Sequence, residues 1–128
     1  MKRPEQALQI AVAQYLEHAL KPPTIWTAFP AGGGGRIRGA FLKAMGLKAG
    51  WPDILVIYSP DDRIATGVLG IELKAKAGRQ TPAQQAIAQS FKDCHAWYVL
   101  CRSVDEVERA LRFCKVPLHA SAGAKAAA

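Results

Sequence analysis

Acidic residues, cysteines and long hydrophobic segments are all scarce in this sequence. Only ten acidic residues balance 17 basic ones, which leaves a net charge of +7. The three cysteines are odd in number, form no CxxC pair and have no zinc-type spacing with the three histidines. These features argue against a disulfide-stapled scaffold and a structural zinc site, and they predict buried, reduced thiols at Cys94, Cys101 and Cys114.

No apolar run approaches the length that a bilayer span needs, and the first four residues do not lead into a signal peptide. We therefore expect a soluble, intracellular protein with no membrane partner. At 128 residues, half of them hydrophobic, the chain has enough apolar material for one core. We predict a single domain over residues 1–115 and a disordered tail over residues 116–128, where small residues dominate.

The shortage of acidic residues is concentrated in two zones. None occurs between Glu17 and Asp53, and none occurs from Leu73 to Lys92. A positive field on both sides of an acidic cleft favours a polyphosphate ligand, although a generally basic surface would have the same composition. The basic residues of the two zones are Lys21, Arg36, Arg38, Lys43, Lys48, Lys74, Lys76, Arg79 and Lys92.

The stretch from residue 50 to residue 74 predicts a β-hairpin. Two short runs rich in β-branched residues, 54–58 and 67–71, flank a segment with turn chemistry, and their nearly continuous apolarity predicts that both faces are covered. A turn centred on residues 62 and 63 pairs residues whose numbers sum to 125, so Asp53 faces Glu72, and Lys74 shares a strand face with Glu72. Facing carboxylates repel each other, and a divalent cation between them would remove that repulsion. The alternative is an ordinary ion network at the edge of a sheet.

Periodicity and capping signals predict the remaining elements. Helices are expected over residues 4–20 and 37–45, from Pro82 with a Thr81–Gln84 capping box, and from Ser103 with a second capping box. Strands are expected over 24–29 and 96–101, with a glycine-rich loop at 31–35. The order predicts an α/β fold with a mixed four-stranded sheet flanked by helices. Glu5 continues the apolar stripe of the first helix, so it either complements the helix dipole or reaches into the site.

Two motifs in this stretch resemble those of a known nuclease superfamily. Gly-Trp-Pro-Asp at 50–53 and Glu-Leu-Lys at 72–74 are similar to the G-x-P-D and E-x-K motifs of PD-(D/E)xK nucleases, and in detail to the standalone virus-type replication-repair nuclease (VRR-NUC) domain. The likeness extends to the early Glu5, the glycine-rich stretch before a basic helix, and Thr-Pro-x-Gln at 81–84. It covers residues 4–112 and implies a restriction-endonuclease-like core. Ala83 departs from the family, which often has an acidic residue there.

The resemblance also implies a set of site residues. Mg²⁺, with Mn²⁺ able to substitute, would be held by Asp53, Glu72 and the backbone carbonyl of Leu73, with Glu5 as a further ligand. Lys74 would orient the attacking water or stabilise developing charge, and Gln84 would orient water or phosphate. The implied catalytic residues are Asp53, Glu72, Lys74, Glu5 and Gln84.

The implied activity is metal-dependent, structure-specific cleavage of DNA phosphodiester bonds. We expect a homodimeric Holliday-junction resolvase that acts in DNA repair in the cytoplasm of a bacterial or phage-infected cell. The alternatives are a flap or nonspecific nuclease of the same fold, and a DNA-binding module that does not cut. The residues expected to contact DNA are Arg36, Arg38, Lys43, Lys48, Lys76 and Arg79.

Overall fold

A computed structural model of the chain describes residues 3–29 and 35–123. The elements follow in the predicted order, and their bounds differ from the predicted ones by no more than two residues. Most of the predicted glycine-rich loop lies outside the described residues. The helices and strands are α1 (Arg3–Ala19), β1 (Ile25–Ala28), α2 (Gly35–Ala44), β2 (Ile54–Tyr58), β3 (Gly67–Leu73), α3 (Pro82–Asp93), β4 (Trp97–Cys101) and α4 (Val104–Phe113).

The four strands form one mixed sheet in the order β1-β2-β3-β4, which confirms the predicted architecture. β1 and β2 pair antiparallel, β2 and β3 pair antiparallel, and β3 and β4 pair parallel. In the central hairpin Ile54 pairs with Ile71 and Tyr58 with Gly67, which is the predicted register. One step beyond β2, the same register brings Asp53 opposite Glu72.

The main core lies on one face of the sheet, against α1 and α4. β2 alternates, with Ile54, Val56 and Tyr58 buried and Ile57 exposed between the last two, whereas β3 is buried along nearly its whole length. The prediction that both faces of both strands are covered is therefore wrong for β2. Its second face lies beyond the reach of α3, which packs over the β3 and β4 side of the sheet.

The segment that carries Asp53 packs closely on the second face of the sheet. A Cβ atom added to Gly70 of β3 would lie 2.6 Å from Pro52 Cγ and 2.9 Å from Phe91 Cε2, so only glycine lets these two rings approach the strand. Phe91 is the buried residue of α3. Close contact with the sheet on this face thus fixes the backbone immediately before Asp53.

The chain after α4 packs against α1. Val116 and Ala122 are buried, Tyr15 Oη donates a hydrogen bond of 2.8 Å to the Ala122 carbonyl, and the His119 N–H donates one of 2.9 Å to the Ala19 carbonyl. The prediction of a disordered tail from residue 116 is therefore wrong as far as residue 123, because small side chains allow the chain to lie close to α1. Residues 124–128 lie outside the described residues.

The sequence also predicts the absence of a membrane span and the burial of the three cysteines. Over the described residues, no helix combines the length and apolarity that crossing a bilayer requires. Cys101 and Cys114 are buried free thiols, as predicted, and burial raises their pKa values to about 12 and about 11. The prediction of a buried thiol is wrong for Cys94, which is exposed because it directly follows the last residue of α3 at the surface.

Candidate active site

The two facing carboxylates lie at one end of the hairpin, on the side where α3 begins. Glu72 is only 3% exposed, and Asp53 is half-buried. Asp53 Oδ2 accepts a hydrogen bond of 2.7 Å from the backbone N–H of Leu73, the residue after Glu72. This bond joins the start of β2 to the end of β3 and holds the two carboxyl groups at the same end of the sheet.

Lys74 is directed to the same place. Its Nζ lies 3.8 Å from Glu72 Oε2, and the two side chains are 12% and 4% exposed. The Lys74 N–H donates to the Cys101 carbonyl at 3.1 Å, which continues the parallel β3–β4 pairing and sets the direction of the side chain. The three ionisable groups that the sequence brings together by register therefore converge in the structure.

Both carboxyl groups have raised pKa values, and repulsion between them contributes to that of Glu72. Burial, followed by the nearby charge of Asp53, raises the pKa of Glu72 to about 8, while Lys74 lowers it. Burial also raises the pKa of Asp53, against the Leu73 hydrogen bond, which lowers it. Two desolvated carboxyl groups share a single neighbouring lysine. When both are ionised their negative charge exceeds that of the lysine, which favours the binding of a proton or a cation.

The raised pKa of Glu72 predicts how the stability of the metal-free protein depends on pH. Glu72 binds a proton more tightly in the folded chain, so its contribution to stability is complete below its ordinary pKa of 4.5 and is lost as the pH rises through about 8. From pH 6 to pH 9 in EDTA, the free energy of unfolding should decrease by at most about 1.4 kcal/mol per pH unit. Urea unfolding measures this, and the decrease should be much smaller in the Glu72→Gln variant. An equal decrease in both proteins would contradict the assignment.

Gln84 has two sets of contacts. The capping box predicted for α3 is confirmed, because the Gln84 N–H donates to Thr81 Oγ1 at 3.2 Å and the Thr81 N–H donates to Gln84 Oε1 at 2.9 Å. The side-chain nitrogen of Gln84, Nε2, donates to Glu72 Oε2 at 3.0 Å. The cap thus orients the Gln84 amide so that its free N–H group contacts the buried carboxyl group.

Glu5 lies at the edge of this group. From the first turn of α1 its Oε1 accepts a hydrogen bond of 3.5 Å from the Ala75 N–H, and its charge contributes to the raised pKa of Asp53. Within residues 3–29 and 35–123, no three His, Cys, Asp or Glu side chains are grouped so that they could hold a metal ion. In this arrangement Glu5 is a neighbour of the carboxyl pair.

Tyr98 is a member of the site that sequence reasoning missed. Its hydroxyl group lies 3.5 Å from Glu72 Oε1 and 3.5 Å from the Gly50 carbonyl oxygen. Tyr98 lies on β4, which pairs parallel with β3. No local pattern in the sequence tells which strand lies beside β3, so no signal pointed to this residue.

Arg102 was also missed, and it holds the loop that follows Lys74. One guanidinium nitrogen, Nη1, donates to the carbonyl oxygens of Ala75 at 2.8 Å and Gly78 at 2.7 Å. The Arg102 N–H donates to Glu106 Oε1 at 3.0 Å. The second capping box is therefore only half right: Ser103 caps α4 through the Glu106 N–H, but the Glu106 carboxylate bonds the residue before the cap.

The six residues predicted to contact DNA are all exposed. Three are on α2, a helix without buried residues, and the others precede β2 or follow β3. α2 and the residue that follows it also expose an apolar stripe, in which Ile37, Phe41 and Met45 are spaced four residues apart. Gly46 ends this helix with a φ of 106°, as predicted. The exposed basic residues are Arg36, Arg38, Lys43, Lys48, Lys76 and Arg79.

The chemistry of the donor set fits a hard divalent cation. Asp53 and Glu72 supply carboxylate oxygens, and Leu73, between Glu72 and Lys74, supplies a backbone carbonyl at the same end of β3. Mg²⁺ prefers oxygen ligands and keeps several waters, so two carboxylates and a carbonyl are sufficient protein ligands. Burial and the neighbouring Asp53 raise the pKa of Glu72, and a bound cation would favour its ionised form.

Comparisons with known proteins identify the fold. No family model matches the sequence, and no curated protein matches it. Among solved structures, a chain described as a VRR_NUC domain protein superposes with a TM-score of 0.64 at 23% sequence identity, covering 84% of this chain and 84% of that chain. The protein therefore has the fold of a VRR-NUC domain.

Proposed function

We propose that this protein is a VRR-NUC nuclease that hydrolyses DNA phosphodiester bonds with the help of Mg²⁺. The observation that carries the proposal is the convergence of Asp53, Glu72 and Lys74 at the end of a buried hairpin, within a VRR-NUC fold. A structural ion pair alone does not account for a second, half-buried carboxyl group that faces the first. The fold and the charge of the site support the same chemistry.

We assign metal binding and stabilisation of the reacting groups to different residues of the site. Asp53, Glu72 and the Leu73 carbonyl would hold Mg²⁺, with Mn²⁺ able to substitute, and the bound ion supplies Lewis acidity toward the scissile phosphate and the attacking water. Lys74 orients that water or stabilises the charge that develops on the phosphate as water attacks phosphorus. The attacking water gives up a proton to solvent as its oxygen bonds to phosphorus, the bond from phosphorus to the leaving oxygen breaks, and that oxygen takes up a proton from solvent.

Gln84 and Glu5 act around the carboxyl pair. The Gln84 amide donates to Glu72 and thereby holds that carboxylate in one orientation, and in the reaction it also orients water or phosphate. Glu5 accepts from the Ala75 N–H and fixes the backbone just after Lys74. In the metal-loaded site Glu5 would be a further ligand, either of the ion itself or of a water bound to it.

The substrate we propose is branched DNA, and a four-way junction first. A two-fold symmetric junction offers two equivalent scissile phosphates to the two sites of a homodimer. The exposed basic residues before β2 and after β3 supply the phosphate contacts. We expect the protein to cleave such DNA during repair, in the cytoplasm of a bacterial or phage-infected cell. A flap or nonspecific nuclease is the second candidate, because the catalytic group would be the same.

Cleavage of three end-labelled DNAs tests this proposal. The native protein is incubated with a four-way junction, a 5′ flap and a linear duplex, in Mg²⁺ or in EDTA. We expect paired, symmetric nicks on the junction in Mg²⁺ only. A requirement for a free end would favour the flap nuclease. Salt-dependent binding of all three DNAs without any product would favour a binding module and overturn the proposal.

We expect the protein to be a homodimer. The apolar stripe of α2 and Met45 is exposed, with Ile37, Phe41 and Met45 at 87%, 64% and 70%, and an apolar stripe of this kind favours a protein contact. Light scattering at tens of micromolar protein should give twice the 13.8 kDa chain mass. The Phe41→Asp variant should give the single-chain mass, while Ile64→Asp, in the hairpin turn, should not. A native protein of single-chain mass would contradict this expectation.

A further inference from the structure

Trp51 combines a fixed position with an open surface. It lies edge-to-face against Phe29, at 6.2 Å between ring centroids, and against Phe91, at 5.4 Å. Phe91 in turn contacts Tyr98 at 5.4 Å, so the ring belongs to a continuous aromatic cluster on the second face of the sheet. Yet 43% of Trp51 is exposed. The contacts hold the indole ring in place without covering it.

The backbone around Trp51 is equally constrained. Gly50 has a φ of 90°, and a Cβ atom there would lie 2.4 Å from the Ala83 carbonyl oxygen. Pro52 restricts its own φ and biases Trp51 toward an extended conformation. A half-exposed tryptophan held from both sides in this way has little side-chain entropy to lose when a ligand covers it.

The position of Trp51 relative to the carboxyl pair suggests the ligand. Asp53 follows two residues later, so the two backbone positions are at most about 7 Å apart, which is within the distance from a phosphate to the base of the same nucleotide. Lys48 is exposed just before this segment, and there is no acidic residue from His18 to Pro52. The surroundings of the ring therefore favour a polyanion over an uncharged or acidic partner.

We infer that Trp51 is a stacking platform for an unpaired nucleobase next to the phosphate at Asp53, an inference that rests on the proposed function. Indole faces stack on any base, so the contact would select DNA by structure and not by sequence. In a paired duplex the base is stacked on its neighbours and is not available to the ring. Trp51 thereby favours junctions, bulges and other distorted DNA over continuous duplex.

Binding to matched bulged duplexes tests this inference. Fluorescence anisotropy at pH 7 in EDTA, where cleavage is excluded, compares a duplex with one unpaired adenine, the same duplex with an abasic residue at that position, and the fully paired duplex. The native protein should bind the adenine bulge about tenfold more tightly than the abasic bulge. Trp51→Leu should bind both bulges equally, and Trp51→Phe should retain most of the preference.

Trp97 provides the matched control. It is 38% exposed and lies edge-to-face against Phe113 of α4 at 5.5 Å, so its ring is on the other face of the sheet. Trp97→Leu should keep the preference for the adenine bulge. Equal binding of both bulges by the native protein, or an equal loss on both in Trp51→Leu, would overturn the inference while leaving the nuclease proposal intact. Absence of any DNA binding would overturn both.

Discussion

Replacing Asp53 with Asn is expected to reduce DNA cleavage by about 10³-fold while the variant remains folded. Asn keeps the shape of the side chain and an oxygen that can accept the 2.7 Å hydrogen bond from the Leu73 N–H, but it removes the charge that a metal ion needs. Lys74→Ala should reduce cleavage by about 10²-fold to 10³-fold, because Lys74 is the cation beside the buried carboxyl groups. Initial rates on end-labelled DNA measure both effects.

The two variants should differ in stability, which separates catalysis from folding. Asp53→Asn relieves repulsion between desolvated carboxyl groups and should be at least as stable as the native protein in EDTA. Lys74→Ala leaves Glu72 without its cation and should be less stable above pH 8. Native-like cleavage by Asp53→Asn would show that the catalytic site lies elsewhere in the chain.

Replacing Gly50 with Ala is expected to have a large effect for the addition of a single methyl group. The residue has a φ of 90°, and the added Cβ atom would lie 2.4 Å and 2.5 Å from the carbonyl oxygen and carbon of Ala83. The strained φ and the clash with backbone atoms should together destabilise the protein by roughly 2–4 kcal/mol. Urea unfolding measures this change in the free energy of unfolding.

Gly39→Ala is the matched control for Gly50→Ala. Gly39 lies inside α2, and apart from the neighbouring helix backbone no atom of the described residues lies within 4 Å of the position its Cβ would occupy. Since alanine favours a helix, this variant should be more stable by about 0.5–1 kcal/mol. Gly50→Ala should also lose cleavage activity, because its segment carries Trp51 and Asp53. Equal, small effects of the two substitutions would contradict the close packing of Gly50 against α3.

The register of the hairpin could be predicted because it is a local property. A turn centred on residues 62 and 63 pairs Ile54 with Ile71, both of them buried, and the same register brings Asp53 opposite Glu72. The helix cap at Thr81 is local as well, since its donors and acceptors lie within three residues. Such features need only the spacing of residues along the chain.

The features that sequence reasoning missed depend on contacts between distant segments. Tyr98 reaches Glu72 only because β4 pairs parallel with β3, and Arg102 reaches the loop after Lys74 for the same reason. Ala122 is buried because Tyr15, 107 residues earlier, donates to its carbonyl. No periodicity within one segment encodes these pairings. The composition of residues 116–128 was therefore the sole basis for predicting a disordered tail.

The central claim is that Asp53 and Glu72 form one binding centre for a divalent metal ion, and binding of Mn²⁺ tests it most directly. Electron paramagnetic resonance of free Mn²⁺ measures the bound fraction without DNA and without turnover. The native protein should bind one ion per chain, more tightly at pH 8.5 than at pH 6.5, because Glu72, whose pKa is raised to about 8, must lose its proton. Asp53→Asn and Glu72→Gln should bind far more weakly. Equal binding by the native protein and both variants, at either pH, would contradict the claim.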